Sequence, residues 1–181
     1  MSYSEKKLKQ LLIQVTNGNV DAFNELYYEF SSFVYNTAIS VSCNADKAND
    51  IVQEVYIKLY QLSHSHIPHT NAISWLYKVT KNEAYSHLRK EKPTQTIEDM
   101  DNQLTAPSFE DNLLSDLLFQ ECLSALQESE REILILKLMG GLKHKTIANI
   151  LDAPEGTIRW RYREALKHLK NIYKEKGYHH E

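Results

Sequence analysis

The chain has 181 residues, 42% of them hydrophobic, enough to build one domain of average size or two small ones. A formal net charge of -3, from 21 Lys and Arg against 24 acids, excludes a generic basic coat for nucleic acid. Two cysteines in unrelated contexts exclude a disulfide framework, and no apolar run is long enough to span a membrane. The N-terminal MSYSEKKLKQLLIQV lacks the apolar core of a signal peptide, so a soluble, cytoplasmic protein without membrane insertion is expected.

Nearly every periodic segment has the helical period, with only 5 Gly and 4 Pro to interrupt them, so the expected fold is all-α. A first helix is predicted over Glu5 to Thr16, with Leu8, Leu11, Leu12 and Val15 on one face and a stop at Asn17-Gly18-Asn19. Asp21 is placed to cap a second helix running toward Ile39, in which Ala22, Phe23, Leu26, Tyr27, Phe30, Phe33 and Val34 read as core. A third begins near Ala45-Asp46. Its buried stripe is Ile51, Val52, Val55, Tyr56 and Leu59, and Asp50, Gln53 and Glu54 project from the opposite side. Such a face fits a protein partner or a plainly solvated surface, and the residues alone do not decide between them.

Gln61 to Thr70 reads as a loop from its Ser, His and Pro content. A fourth helix, NAISWLYKVTKNEAYSHLRKEK, turns Ile73, Leu76, Tyr77, Val79, Thr80, Ala84 and Leu88 inward. Trp75, Lys78, Lys81, Asn82, Tyr85 and Arg89 are left as candidates for the outer side. Aromatic and basic residues interleaved on an exposed helix stack on unpaired bases and neutralise phosphates. The alternative is that Trp75 and Tyr77 fill the core while the lysines solvate the helix. Pro93 to Asn112 has five acids and no sustained period, and reads as an extended acidic linker. Helical periodicity resumes in Leu113, Leu114, Leu117, Leu118, Cys122, Leu123 and Leu126. Ser129 with Glu132 then has the pattern of a capping box for a helix carrying Ile133, Leu134, Leu136 and Leu138.

After Gly140-Gly141 come two short amphipathic segments, Lys145 to Leu151 and Thr157 to Leu169, separated by Asp152-Ala153-Pro154. Proline lacks an amide hydrogen and biases its predecessor away from helix, so this is a helix-turn-helix pattern. The second segment puts Ile158, Tyr162, Ala165, Leu166 and Leu169 on one face and Arg159, Trp160, Arg163 and Lys167 on or near the other. From Leu142 to Lys176 there are nine Lys or Arg against four acids. A helix meeting phosphates needs such an excess, because neutralising backbone charge and releasing counterions supplies most of the affinity. Lys78 to Lys92 is a second basic stretch, with five bases against two acids. Between the two, Ile97 to Glu130 holds nine acids and no base. Two nucleic-acid contacts flanking an acidic middle are therefore expected.

No phosphate-cradling glycine loop, nucleophile elbow or HExxH occurs, so no enzyme and no cofactor are expected. The eight His lack the partners and spacing of a zinc site, and no metal is expected.

Four of these segments, in order, resemble the extracytoplasmic-function (ECF) group of bacterial sigma factors, over about residues 19–92 and 113–171. DAFNELYYEF resembles the family's opening helix, DIVQEVYIKLY its DxVQExF segment, and ISWLYKVTKNEAYSHLRK its WLYRIARNxAxDxxR segment. ESEREILILKLMGGLKHKTIANILDAPEGTIRWRYREALKHL resembles its C-terminal domain, with Gly156-Thr157-Ile158-Arg159-Trp160-Arg161 at its GTV-[KR]-x-R pattern. The resemblance implies two small helical domains, region 2 at 1–92 and region 4 at 113–181, joined by the flexible acidic linker 93–112. It implies that Asp50, Gln53 and Glu54 dock on bacterial RNA polymerase core enzyme. His64, Ser65, His66, Trp75, Lys78, Lys81, Asn82 and Arg89 would recognise and melt the -10 element of promoter DNA. Lys145, Thr157, Arg159, Trp160, Arg161, Arg163 and Lys167 would meet the -35 element in the major groove. An anti-sigma factor is a further implied partner. The sequence departs from the family's pattern at Trp160, where a small residue is usual, at Glu164, where Arg is frequent, at Lys143-His144-Lys145, and at the histidines of the -10 loop. A repressor or activator built on the same helix-turn-helix, with an N-terminal dimerisation or sensing domain, is the alternative. It has no need of DIVQE followed by WLYKVTKN.

Overall fold

The computed structural model describes residues 3–90 and 121–175, and these form helices joined by short turns, with no strand among them. α1 spans Glu5–Thr16, the predicted bounds, with Ser4 as its N-cap and Leu8, Leu11, Leu12 and Val15 buried. α2 spans Val20–Ser42. Its cap is Asn19, whose Oδ1 accepts the Ala22 amide at 3.0 Å; Asp21 lies inside the first turn instead. α2 runs past Ile39 because Thr37 and Ser40 return their hydroxyls to the Phe33 and Thr37 carbonyls, at 2.9 and 2.7 Å, and so enter the core with their polarity satisfied. Cys43, at φ 51°, ends it.

α3 spans Ala45–Tyr60, capped by Asn44, and buries the expected stripe together with Ala48. A single 3-10 turn, His64–His66, leads through buried Ile67 to α4, Ala72–Lys90. Glu5 accepts the Ile73 amide at 3.1 Å, satisfying a donor in the first turn of α4. Buried Glu83, a charge that the apolar pattern gives no place inside, is paired with Lys58 of α3.

Residues 121–125 are helical, and α5 spans Glu128–Leu138, α6 His144–Ile150 and α7 Glu155–Glu175. The expected capping box at Ser129 is not formed. Gln127 is the N-cap, its amide donating to Glu130 Oε2 at 3.1 Å, and Glu132 is buried against α4. Leu138, at the end of α5, is exposed. The linker 93–112 and the residues Leu113 to Leu118 lie outside the described residues.

α5 packs against α2 on one side and α7 on the other, and α6 touches α4. The core is consequently continuous: Leu8, Phe33, Ile51 and Leu76 from the N-terminal half share one cluster with Ile133, Ile135, Ile147 and Ile158. A smaller cluster of Leu126, Leu134 and Ala165, edged by Tyr162, Leu166, Leu169 and Ile172, fixes α7 to α5. Among the described residues no helix is long and apolar enough to cross a membrane.

Candidate nucleic-acid and partner interfaces

The helix-turn-helix is set by its turn. Leu151 N–H donates to the Ile147 carbonyl at 2.9 Å, Asp152 takes φ 50°, and Ala153 N–H returns to the Ala148 carbonyl at 3.0 Å. Those bonds satisfy the last carbonyls of α6 and reverse the chain. Pro154 then accepts the Ile158 amide at 3.1 Å and starts α7. Ile158 and Ala165 are fully buried, which fixes the roll of α7 and turns Arg159, Trp160, Arg161, Arg163 and Lys167 outward. Thr157 is half-buried and Lys145 on α6 is exposed. Trp160 is 58% exposed, so the bulk that departs from the family's pattern stands on the outer face of α7.

Two acids condition this face. Glu155 Oε1 pairs with Arg159 Nη2 at 2.6 Å, and Glu164 Oε1 with Lys167 Nζ at 2.7 Å. The bond from Lys167 holds the Glu164 carboxyl below the usual carboxylate range. Both pairs lie on the exposed surface, so phosphates can exchange with the acids at little cost. His144, at the start of α6, rests edge-on against the Tyr162 ring at 5.3 Å. Burial, helped by Lys137 and Arg159, pushes its pKa down.

The second candidate contact divides. Lys78, Asn82 and Arg89 are exposed along α4, whereas Trp75 is half-buried and packs on the core. Lys81 does not point to solvent: its Nζ lies 3.1 Å from Glu128 and is bonded to Glu132. Burial opposes its charge, and the two carboxylates of α5 outweigh that effect and raise its pKa. His64, Ser65 and His66 are exposed in the 3-10 turn, where His66 Nδ1 lies 2.5 Å from Ser63 Oγ. Lys9 Nζ donates to the His69 carbonyl at 3.1 Å and ties that loop to α1.

On α3, Asp50 and Gln53 are exposed and Glu54 is half-buried beside them, on one face as expected. That face is larger than its polar residues. Ile57 and Tyr60 are 51% and 59% exposed, and Tyr27, expected in the core, is 50% exposed on α2. Ile57 was legible in principle, since it falls outside the buried stripe and one turn beyond Gln53 and Glu54. The carboxylates that reach α4 from α5 had no such signal, because their partners lie more than 40 residues away.

The fold and these faces define an all-helical DNA-binding protein with a helix-turn-helix in its C-terminal half and a second basic helix in its N-terminal half. The family model Sigma-70 region 2 matches residues 26–94, and Sigma-70, region 4 matches 116–169. The ECF RNA polymerase sigma factor SigW of Bacillus subtilis is 28% identical over 93% of this chain and 100% of its own length. The ECF RNA polymerase sigma-E factor of Escherichia coli is 29% identical over 90% of this chain and 94% of its own. Among solved structures, CnrH in complex with the cytosolic domain of CnrY shares the fold, with TM-score 0.68 and 17% identity over 93% of this chain and 97% of that one. The sigma factor RpoE of Bartonella quintana, in complex with the anti-sigma factor NepR, gives TM-score 0.58 and 26% identity over 86% of this chain and 98% of its own. The chain belongs to the ECF group of the sigma-70 family.

Proposed function

We propose that the protein is an alternative sigma factor that directs bacterial RNA polymerase to a specific promoter set and aids melting at initiation. The observation that carries this reading is the coexistence, within one sigma-70 chain, of an outward basic recognition helix and a separate polar and aromatic face on α3. A protein that only bound duplex DNA would use the first and leave the second without a role. Arg159 and Arg163 read base edges and phosphates in the -35 major groove, with Lys145, Thr157, Arg161 and Lys167 around them. Trp160 offers an apolar surface of the kind that contacts thymine methyl groups. Lys78, Asn82 and Arg89, with His64, Ser65 and His66 at the head of α4, take the -10 strand, and Trp75 supports them from its half-buried seat. Extruding a base costs a few kcal/mol, which the pocket offsets by stacking and hydrogen bonds. Asp50, Gln53 and Glu54, extended by Ile57, Tyr60 and Tyr27, dock the polymerase core. The protein brings position and strand separation, works in the cytoplasm with the polymerase, and leaves the chemistry to it. By analogy with the complexes of its structural relatives, an anti-sigma factor is a natural partner.

Mixing the purified chain with bacterial core polymerase tests this reading. A stable complex on gel filtration that Gln53→Ala with Glu54→Ala dissociates, and Arg159→Ala leaves intact, is expected. Failure to join core, combined with tight binding to a palindromic operator, would identify a repressor instead.

A further inference from the structure

The loop that carries His64, Ser65 and His66 is held from behind by α1. Two side chains one turn apart on that helix reach the end of the loop and the first turn of α4. Lys9 Nζ donates to the His69 carbonyl at 3.1 Å, and Glu5 Oε2 accepts the Ile73 amide at 3.1 Å. Residues four apart share a helix face, so one edge of α1 sets both bonds. Glu5 supplies from another helix what an N-cap supplies locally: an acceptor for a first-turn amide and a negative charge at the positive end of the helix dipole.

α1 is a firm base for these bonds. Leu8, Leu11 and Leu12 are buried, Lys7 pairs with Glu25 of α2, and Tyr3, just ahead of the helix, stacks on Phe30 with ring centres 5.7 Å apart. On the loop side Ile67 is buried, and the His66 amide closes the 3-10 turn on the Ser63 carbonyl at 3.0 Å. Between the two α1 bonds lies Asn71, at φ 53°. A residue with a Cβ keeps that left-handed backbone where the chain on both sides is held. The loop therefore has one orientation relative to α4, and its exposed His64, Ser65 and His66 keep one place relative to Lys78 and Asn82.

α1 lies ahead of the span 26–94 that Sigma-70 region 2 matches. We infer that Glu5 and Lys9 are positioning residues for the -10 contact: they touch no base, and they fix the loop from which His64, Ser65 and His66 discriminate between bases. The inference rests on the -10 role proposed above for that loop. Its physical ground is that a loop free to reorient meets right and wrong bases with similar energies, whereas a loop held in place leaves a polar group unpaired when the base is wrong.

The test is transcription by core polymerase saturated with the full chain, on a promoter fragment taken from mapped genomic starts. Its output is compared with that of the same fragment carrying single changes in the -10 or in the -35 element. The double variant Glu5→Ala, Lys9→Ala should reduce the preference for the original -10 bases about fivefold, the lower end of what one base contact contributes, and leave the -35 preference unchanged. Glu5→Gln with Lys9→Arg keeps an acceptor and a donor in place and should retain the -10 preference. An unchanged -10 preference in the alanine pair would overturn the inference, and so would equal losses at both elements, which mark a general loosening of the fold. If circular dichroism shows that pair unfolded, Lys9→Ala alone should lower the -10 preference about twofold, the effect of one modest hydrogen bond, and no change there would overturn the inference equally. Absence of any start with the unsubstituted chain would contradict the promoter reading and take the inference with it. A variant that keeps both its starts and its -10 preference overturns the inference alone.

Discussion

Glu132 shows how a local pattern misleads at the scale of one residue. Ser129 and Glu132 have the spacing of a capping box, yet the carboxyl is buried against Tyr77, 55 residues away. Nothing within a helical turn of Glu132 could have revealed that partner, because it depends on which helix the chain folds back onto. Glu83 is a parallel case, buried on α4 and paired with Lys58. Lys58→Ala would strand that carboxylate; because Lys58 is itself half-exposed, the loss should be about 1–3 kcal/mol in urea unfolding, while neutral Glu83→Gln costs less. Equal losses would mean that the ion pair is incidental. The exposure of Arg159 was legible from its place outside the buried stripe of Ile158 and Ala165, and Arg159→Ala should reduce use of -35-dependent promoters by about 1–3 kcal/mol with core association unchanged. His144 gives a pH signature. Its folded pKa lies below the ordinary value of 6.5, so above that value both states are neutral and nothing is lost. As pH falls below 6.5 the unfolded chain takes up the proton first, and stability declines until the folded pKa is passed. Urea midpoints should thus fall more between pH 7.5 and 5.5 in the unsubstituted chain than in His144→Gln; an equal fall would place the burden on other groups.

At the scale of elements, α1 and α3 were legible because one apolar stripe and one cap fix each of them. α2 was read short because Asn36, Thr37 and Ser40 are buried polar residues, invisible to an apolar pattern until their bonds are seen. The helix-turn-helix was legible because Pro154 and the buried Ile158 constrain it locally, although α7 continues to Glu175, beyond the predicted Leu169. Two glycines separate geometry from mere presence. A Cβ on Gly140 would stand 2.7 Å from the Leu136 carbonyl oxygen, whereas one on Gly156, in the first turn of α7, would meet nothing within 4 Å. Gly140→Ala should therefore lower the thermal midpoint by shifting the connection from α5 to α6. Gly156→Ala should raise stability by about 0.5–1 kcal/mol through its helix preference. Like effects from both would show that the close approach at Gly140 is unimportant.

At the scale of the molecule, charge segregation pointed to two nucleic-acid contacts with an acidic region between them; Lys78 and Arg89 on α4 and Arg159, Arg161 and Arg163 on α7 are exposed. What the pattern could not convey is that the halves pack together through a continuous core, with acids of α5 laid along the basic and aromatic stripe of α4. Periodicity reports which side of a helix is buried and is silent on which partner buries it. The most direct measurement of the central claim is transcription from genomic fragments by core polymerase with and without this chain, with start sites mapped. A discrete set of starts should appear only with both components and shrink with Arg159→Ala. Starts identical to those of core alone, across all fragments, would contradict that claim.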